Sequence, residues 1–255
     1  MYAILLYHGI EDGARSERQM DDVDREYVLD RARFERHVEY LAAKPASSVR
    51  TVISFDDGDL SGYTIAAPTL ERHGLRGEFC IVTNWIGAPG FMTADQLREL
   101  ARRGHGVHSH SRSHPRLTSL TPAQIEDELR GSKTDLESIL GRPVTQFSIP
   151  GGAYDSRVVE IAKRAGYTSV MNSVEGYNAD DASAFLLRRF TPRAYSDVAM
   201  LKGICEHPSA TNARLAIKRA ALRVARGVMG EGGYGKLRAK LVRGATISGS
   251  PNARR

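Results

Sequence analysis

The chain has 255 residues, of which 41% are hydrophobic and 26% are charged. This composition is typical of a globular protein and fits one α/β domain, or one domain with an extension. No apolar run approaches the length that a bilayer-spanning helix needs, which argues against an integral membrane protein. The apolar N-terminal run has no basic leader and no small-residue cleavage site, so we expect a cytoplasmic protein.

The net charge of +6 is distributed unevenly along the chain. Residues 211–255 contain eleven Lys and Arg and a single acid, Glu231, so they carry +10 and leave −4 on residues 1–210. We therefore predict two parts, a main domain over residues 1–205 and a basic helical C-terminal extension over residues 206–255. A strongly basic segment of this kind favours contact with an anionic surface.

Short apolar runs alternate with helical patterns along the first 200 or so residues. The runs predict strands at Ala3–Tyr7, Thr51–Phe55, Glu78–Val82, Gly106–His110, Thr145–Ile149, Thr168–Asn172 and Leu186–Phe190. Helices are predicted up to about His73, over Thr93–Arg103, from the Thr121–Pro122 start, and over Ser156–Ala165. Repeated strand–helix alternation predicts a parallel sheet, and about seven such units predict a closed or nearly closed barrel.

Two further segments have a distinct character. The polar stretch Ile10–Asp30 is long for a plain connection, and we expect it to form a loop over the site. Ala213–Val228 is helical and basic in pattern, and a second short basic helix is predicted over Lys236–Val242. Cys80 and Cys205 have no metal or redox spacing and are interpreted as inert thiols.

Two adjacent carboxylates, Asp56 and Asp57, end an apolar strand and are followed by glycine. Burying both acids is costly unless a cation or hydrogen bonds compensate, although an Asp-Asp-Gly sequence is also a common turn. His110 and His114, four residues apart, follow another strand with metal-ligand spacing. With Asp57 they form a two-histidine, one-carboxylate set that leaves a position open for water. We expect His108 to be a packed or supporting residue.

Two weaker signals complete the pattern. The segment Pro150-Gly151-Gly152-Ala153-Tyr154 follows a strand and could present a backbone N–H to a developing oxyanion, although a plain loop has the same sequence character. His8 ends the first strand, and a lone histidine there would more often be structural.

The order of these motifs resembles the polysaccharide deacetylases, also called carbohydrate esterase family four. The resemblance covers roughly residues 1–195 and rests on Ser54-Phe55-Asp56-Asp57-Gly58, on Gly104 to Pro115, and on Pro150-Gly151-Gly152. It implies a distorted (β/α)₇ barrel and a metal-dependent hydrolase that removes acetyl groups from N-acetylated sugars. The resemblance also implies a bound Zn²⁺, or Co²⁺, Ni²⁺ or Mn²⁺ in its place.

The resemblance also implies roles by position. Asp56 is the expected general base, Asp57, His110 and His114 the metal ligands, and Pro150, Gly151 and Tyr154 the substrate-binding residues. The family's third motif usually carries an arginine that supports the base, but Ser148 stands there, so Arg189 from the last strand is the expected substitute. No good match to the late Leu-x-His motif exists, and one branch of the family takes its acid histidine from the first strand, which points to His8.

Several alternatives stay open on the sequence alone. The same site chemistry serves an O-acetyl esterase or another non-peptide amide hydrolase, and a non-catalytic glycan-binding member would retain the barrel. The basic extension fits a solvated helix packed on the barrel, or an anchor on the inner face of an anionic membrane. A nucleic-acid partner is disfavoured, because no aromatic interleaving or binding motif accompanies the basic residues.

Overall fold

The computed structural model describes residues 1–13, 25–180 and 185–224. Its strands are β1 (Tyr2–Tyr7), β2 (Ile10–Glu11), β3 (Leu29–Asp30), β4 (Arg50–Phe55), β5 (Gly77–Ile81), β6 (Gly106–Ser109), β7 (Gln146–Ser148), β8 (Ser169–Met171) and β9 (Leu186–Leu187). Its α-helices are α1 (Arg31–Ala43), α2 (Ala67–Arg72), α3 (Ala94–Arg102), α4 (Pro122–Leu140), α5 (Ser156–Arg164) and α6 (Val198–Glu206), and a π-helical turn, Gly62–Ala66, leads into α2.

Seven strands form one parallel sheet in the order β1-β4-β5-β6-β7-β8-β9. Beyond β9, Phe190 forms a parallel bridge with Leu5 of β1. The Leu6 N–H donates to the Phe190 carbonyl at 2.8 Å, and the Phe190 N–H donates to the Ile4 carbonyl at 2.8 Å. The end of the sheet therefore curls back onto its first strand, and the expected (β/α)₇ barrel is confirmed.

The starts of the helices follow local sequence signals. Thr93 and Thr121 each accept a hydrogen bond from the third helical residue, whose glutamine side chain bonds back. The predicted N-cap at Thr93 and the predicted capping box at Thr121 are both present, and Thr93 forms a capping box as well. Gly141 ends α4 in the left-handed conformation that glycine adopts without steric cost. The sequence prediction missed α1 and α6. In α1, polar residues obscure the apolar repeat of Phe34, Val38 and Leu41.

The core between β1, β4, β5 and α1 is aromatic. Phe55 stacks on Phe79 with ring centroids 4.8 Å apart, and Tyr7 and Phe34 pack against Phe55. Full burial of each ring contributes about 1.5–3 kcal/mol. This cluster anchors the strands whose C-terminal ends carry the candidate site.

The chain divides into two compact units, Met1–Pro208 and Ser209–Arg255. In the second unit, residues up to 224 are helical, in agreement with the expected basic helix, while Lys236–Val242 lies outside the described residues. The part of the chain that the structure describes contains no helix that is both long and apolar enough to cross a membrane. The predicted domain boundary at residue 205 stays a prediction.

Candidate active site

Polar side chains gather at the C-terminal ends of β4, β6 and β7, the edge where parallel α/β barrels place their sites. Asp56 and Asp57 directly follow β4, and His110 directly follows β6. Both carboxylates and His110 are buried, with 3%, 5% and 2% of their surface exposed. Burying charge to this degree requires compensation by partners or by a cation.

Asp57, His110 and His114, the ligand trio, each offer one ligand atom, and these atoms lie within 4.8 Å of one another. The Asp57 Oδ1 atom is 3.5 Å from His110 Nε2 and 3.6 Å from His114 Nε2. Ligand atoms around a tetrahedral cation with bonds of about 2.0–2.1 Å are separated by about 3.3 Å. The spacing within the trio therefore fits a small divalent cation.

The orientation of His110 also fits a metal ligand. Its Nδ1 atom is 2.8 Å from the Ser148 carbonyl, an acceptor, so Nδ1 carries the proton. The lone pair of Nε2 is then directed toward Asp57 and His114. A backbone carbonyl that fixes the tautomer in this way is the usual support of a metal-bound histidine.

Among the residues that the structure describes, three other than glycine have a positive φ, and all three lie in the two metal-ligand segments. Asp57 has φ 77°, Ser111 has φ 68° and His114 has φ 60°. Such conformations are unfavourable for residues with a Cβ atom and persist where surrounding contacts impose them. They turn the chain sharply after β4 and β6, which brings both ligand segments to one point.

Asp56 belongs to a separate base cluster, formed with Ser148 and Arg189. The Arg189 guanidinium donates to Asp56 Oδ1 at 2.8 Å and to Oδ2 at 2.9 Å, and the Ser148 hydroxyl donates to Oδ2 at 2.9 Å. Burial alone would raise the pKa of Asp56, but the charges of Arg189 and His110 and the hydrogen bonds from Arg189 together outweigh burial and hold the pKa well below its usual range. Asp56 is therefore ionised over the working range of pH.

Arg189 reaches the site from the segment that follows β9. This segment lies next to β1, because the adjacent Phe190 bridges Leu5. Its side chain is fully buried, and its Nε donates to the Asn172 carbonyl at 3.0 Å. Arg189 thus lies where the expected substitution for a third-motif arginine requires it, and its catalytic role stays a prediction. The prediction placed Arg189 inside the last strand, but β9 ends at Leu187. Its Nη2 also donates to Ser148 Oγ at 2.8 Å, a role for Ser148 that sequence reasoning missed.

His8 lies after β1, beside the base cluster, and its ring is 5.0 Å from the Tyr27 ring. Burial lowers the pKa of His8, while the nearby Asp57 and Asp56 charges act in the opposite direction. Its Nδ1 atom is buried and has no hydrogen-bond partner among the described residues. A partly buried imidazole beside both carboxylates can deliver a proton at this point of the barrel.

The predicted substrate segment follows β7 directly. Pro150 is buried, Gly151 is in the left-handed region at φ 61°, and Tyr154 is 37% exposed. Gly152 has φ 70°, and a Cβ there would lie 2.5 Å from the Ser173 side chain, so glycine is needed at this turn. The substrate-binding roles of Pro150, Gly151 and Tyr154 stay predictions.

Two further predictions concern residues around the site. His108 bonds Glu78 at 2.6 Å, as expected for a packed residue. Ile10–Asp30, expected to be one loop, contains the parallel pair β2 and β3, and residues 14–24 lie outside the described residues. Sequence reasoning assigned no role to Trp85, whose ring lies 5.3 Å from His114 and 4.9 Å from Phe91.

Comparison with known proteins adds independent evidence. The family model for polysaccharide deacetylase matches residues 43–170, half of the chain, which includes both ligand segments and the β7 turn. The chain belongs to the polysaccharide deacetylase family. Enzymes of this family hydrolyse acetyl groups of carbohydrates.

Two proteins from Bacillus subtilis are similar to this chain in sequence. YxkH, whose name assigns it to the same family, is 26% identical over 204 residues, which are 73% of this chain and 69% of YxkH. The peptidoglycan-N-acetylmuramic acid deacetylase PdaA is 31% identical over 127 residues, 48% of this chain. The chain spans 46% of the length of PdaA.

Solved structures share the fold. The Streptococcus pyogenes deacetylase PplD, in complex with acetate, matches with a TM-score of 0.66 at 19% identity, over 78% of this chain and 96% of PplD. A de-N-acetylase from Aggregatibacter actinomycetemcomitans matches with a TM-score of 0.65 at 16% identity, over 79% and 98% of the two chains. Identities this low establish the common barrel alone.

Proposed function

We propose that this polysaccharide deacetylase is a metal-dependent hydrolase that removes acetyl groups from N-acetylated sugars. One observation carries the proposal, namely that a trio of suitable ligand atoms lies beside a carboxylate already held by other partners. The His110 Nε2 atom is 3.5 Å from Asp57 and 3.8 Å from Asp56, so the ligand trio and the base cluster meet at one point. A binding module that only recognises a glycan has no use for this arrangement.

The ligand trio would hold Zn²⁺, or a similar divalent cation such as Co²⁺, Ni²⁺ or Mn²⁺. When bound, such a cation polarises a carbonyl and lowers the pKa of water in the site. The low pKa of Asp56 keeps it ionised, so Asp56 is ready to accept a proton from that water. Arg189 and Ser148 fix the direction in which the Asp56 carboxylate faces.

The remaining proton transfer is assigned to His8. Its partly buried position next to Asp56 and Asp57 allows it to donate a proton to the departing sugar nitrogen. An amine is a poor leaving group without that proton, so the acid matters more for an amide than for an activated ester. The Gly151 N–H is assigned to the oxyanion, where loss of one donor typically costs about 10²–10³ in rate.

The experiment is an acetate-release assay on N-acetylglucosamine oligosaccharides, with and without a chelator. The proposal predicts release that a chelator abolishes and that added Zn²⁺ or Co²⁺ restores. Release that is unaffected by a chelator would contradict the metal dependence. Release only from O-acetylated sugars would replace the amide substrate with an ester.

A second proposal concerns the helix of residues 208–224. Its side chains Ile217 and Val224 are 71% and 66% exposed, and basic residues lie between and beside them. Exposed apolar residues together with positive charge suit an anionic lipid surface, and we propose a peripheral location on this ground. The cytoplasmic location itself stays a prediction.

Vesicle sedimentation tests this second proposal. The full chain should sediment with vesicles that contain an acidic phospholipid and remain in solution with neutral vesicles. The double variant Ile217→Asp, Val224→Asp should lose that binding and retain acetate release. Equal sedimentation of the variant and the unmodified chain would contradict the proposal.

A further inference from the structure

The five residues from His110 to His114 carry two of the three metal ligands on a strained backbone. Ser111 and His114 are both in the left-handed region, and within the loop the His114 N–H donates to Ser111 Oγ at 3.1 Å. A turn of this kind requires contacts from outside to hold it in one geometry. The structure shows where those contacts come from.

Glu128, in the middle of α4, accepts three hydrogen bonds from this loop. Its Oε2 atom accepts from the backbone N–H groups of Arg112 and Ser113, both at 2.9 Å, and its Oε1 atom accepts from the Ser113 hydroxyl at 2.5 Å. Both partners lie between the two histidine ligands. Hydrogen bonds to an ionised acceptor are about twice as strong as neutral ones, so this carboxylate is an effective anchor.

The same face of α4 also receives the Arg112 side chain. A Cβ atom on Gly131 would lie 2.4 Å from Arg112 Cδ and 2.5 Å from Arg112 Nε, so a larger residue there would displace the Arg112 side chain from its path across the helix. Glycine is unfavourable inside a helix, and here a packing reason for it is visible. Beyond Gly131, Arg112 Nε donates to Asp135 Oδ2 at 3.2 Å.

Asp135 connects this anchor to the loop after β5. Its Oδ2 atom also accepts from the Thr83 hydroxyl at 2.9 Å, and the Thr83 N–H donates to the Ser111 carbonyl at 3.2 Å. Glu128, Gly131 and Asp135 are spaced three and four residues apart, which places them on one side of the helix. One helix face therefore holds both segments that surround His114.

We propose that Glu128 is a positioning residue for the metal ligands, and that it acts by anchoring the His110–His114 loop to α4. The inference rests on the proposed function, because it assumes that the ligand trio binds a cation. Residues that hold metal ligands in place typically change metal affinity by about 10- to 100-fold when they are removed. The Arg112 side chain, which packs over Gly131 and bonds Asp135, attaches the same loop to α4 at a second point.

A competition titration of Zn²⁺ against a chromophoric chelator tests the proposal on the purified full chain. Glu128→Ala should raise the Zn²⁺ dissociation constant by about 10- to 100-fold, and Gly131→Ala should raise it because Arg112 is displaced. The matched control is Glu126→Ala, two residues away on the same helix, where an exposed glutamate bonds only Arg130 among the interactions described. The control should bind Zn²⁺ as the unmodified chain does.

The outcomes separate the two proposals. Tight Zn²⁺ binding by the unmodified chain and equally tight binding by Glu128→Ala would overturn the anchor and leave the proposed function intact. A lower melting temperature of the metal-free variant with unchanged Zn²⁺ affinity would overturn it as well, since that is the result of a purely structural role. Should Glu128→Ala not fold, Glu128→Gln retains the side-chain size and should show the same direction of change. An unmodified chain that binds no Zn²⁺ would overturn the proposed function and this inference together.

Discussion

The two carboxylates of the site are neighbours in sequence and are both buried, but they have different partners. Asp56 is held by a guanidinium and a hydroxyl in a cluster whose arginine is fully buried. Asp57 faces two histidine nitrogens at 3.5 and 3.6 Å, and the side chain of one of them, His114, is 32% exposed. Asp56 is held in place by hydrogen-bond donors of the protein itself, whereas the spacing of the ligand trio fits a cation.

The difference shows how adjacent residues of one type acquire different roles. Asp57 has φ 77°, so the chain turns between the two residues and their side chains meet different partners. The residues that distinguish them, Arg189 and His110, come from distant parts of the sequence. The assignment of base and ligand therefore depends on the barrel rather than on the motif alone.

The largest expected effect is on the base cluster. Asp56→Asn removes the proton acceptor, so acetate release should fall by about 10²- to 10⁴-fold. Asp95→Asn, whose carboxylate is 93% exposed on α3, is the control and should keep full activity. Because the change leaves Arg189 opposite a neutral partner, circular dichroism should verify the fold. A folded variant with near-normal release would remove Asp56 from the role of base.

The next effect concerns His8 and depends on the leaving group. His8→Gln should lower acetate release from an N-acetylated sugar by about 10²-fold or more, because the amine then leaves without a proton. Hydrolysis of 4-nitrophenyl acetate should change only a few-fold, since a phenolate leaves readily as an anion. Equal losses on both substrates would show that His8 is not the general acid.

A smaller effect is expected for the arginine that supports the base. Arg189→Met should lower kcat by about 10- to 100-fold with little change in KM. Burial raises the pKa of Asp56 and Arg189 opposes it, so without Arg189 that pKa rises. Activity then requires a higher pH, and the acid limb of the pH–rate profile should move upward. An unchanged acid limb would separate Arg189 from the protonation of Asp56.

The smallest effect on activity is expected at a buried histidine that belongs neither to the ligand trio nor to the base cluster. His37 contacts the Tyr7 hydroxyl at 3.1 Å and the Ser196 carbonyl at 3.2 Å, and burial lowers its pKa to about 4. The unfolded chain binds a proton near pH 6.5 and the folded chain does not, so stability should fall as pH falls from about 6.5 toward 4.

The pKa difference bounds the loss at about 3 kcal/mol of unfolding free energy. Urea midpoints between pH 7 and pH 4 measure it, with His37→Gln as the comparison. The variant should have a flatter dependence on pH and normal activity at pH 7. An equal slope for both chains would show that His37 titrates alike in the folded and unfolded states.

Much of this site could be predicted from the sequence because its signals are local. The Asp-Asp-Gly and His-x-x-x-His patterns each lie within five residues, and the barrel follows from strand–helix alternation. Arg189 was predicted only as a substitute for a missing arginine. Its bidentate contact with Asp56 joins residues 133 positions apart, which no local pattern encodes.

The features that sequence reasoning missed are those set by packing. Ser148 looked like a loss of the supporting arginine, yet its small hydroxyl leaves room for Arg189 and donates to Asp56. Glu128 lies on a helix whose apolar repeat gave no reason to assign it a role. Gly131 is informative only once Arg112 is seen beside it.

The central claim is that the two adjacent carboxylates divide the chemistry, with one binding the cation and the other accepting a proton. Titration of Zn²⁺ into Asp56→Asn and Asp57→Asn, side by side, tests it most directly. The account predicts that Asp57→Asn loses Zn²⁺ affinity while Asp56→Asn keeps affinity within a few-fold of the unmodified chain. Equal affinity in both variants, or a loss confined to Asp56→Asn, would contradict the division.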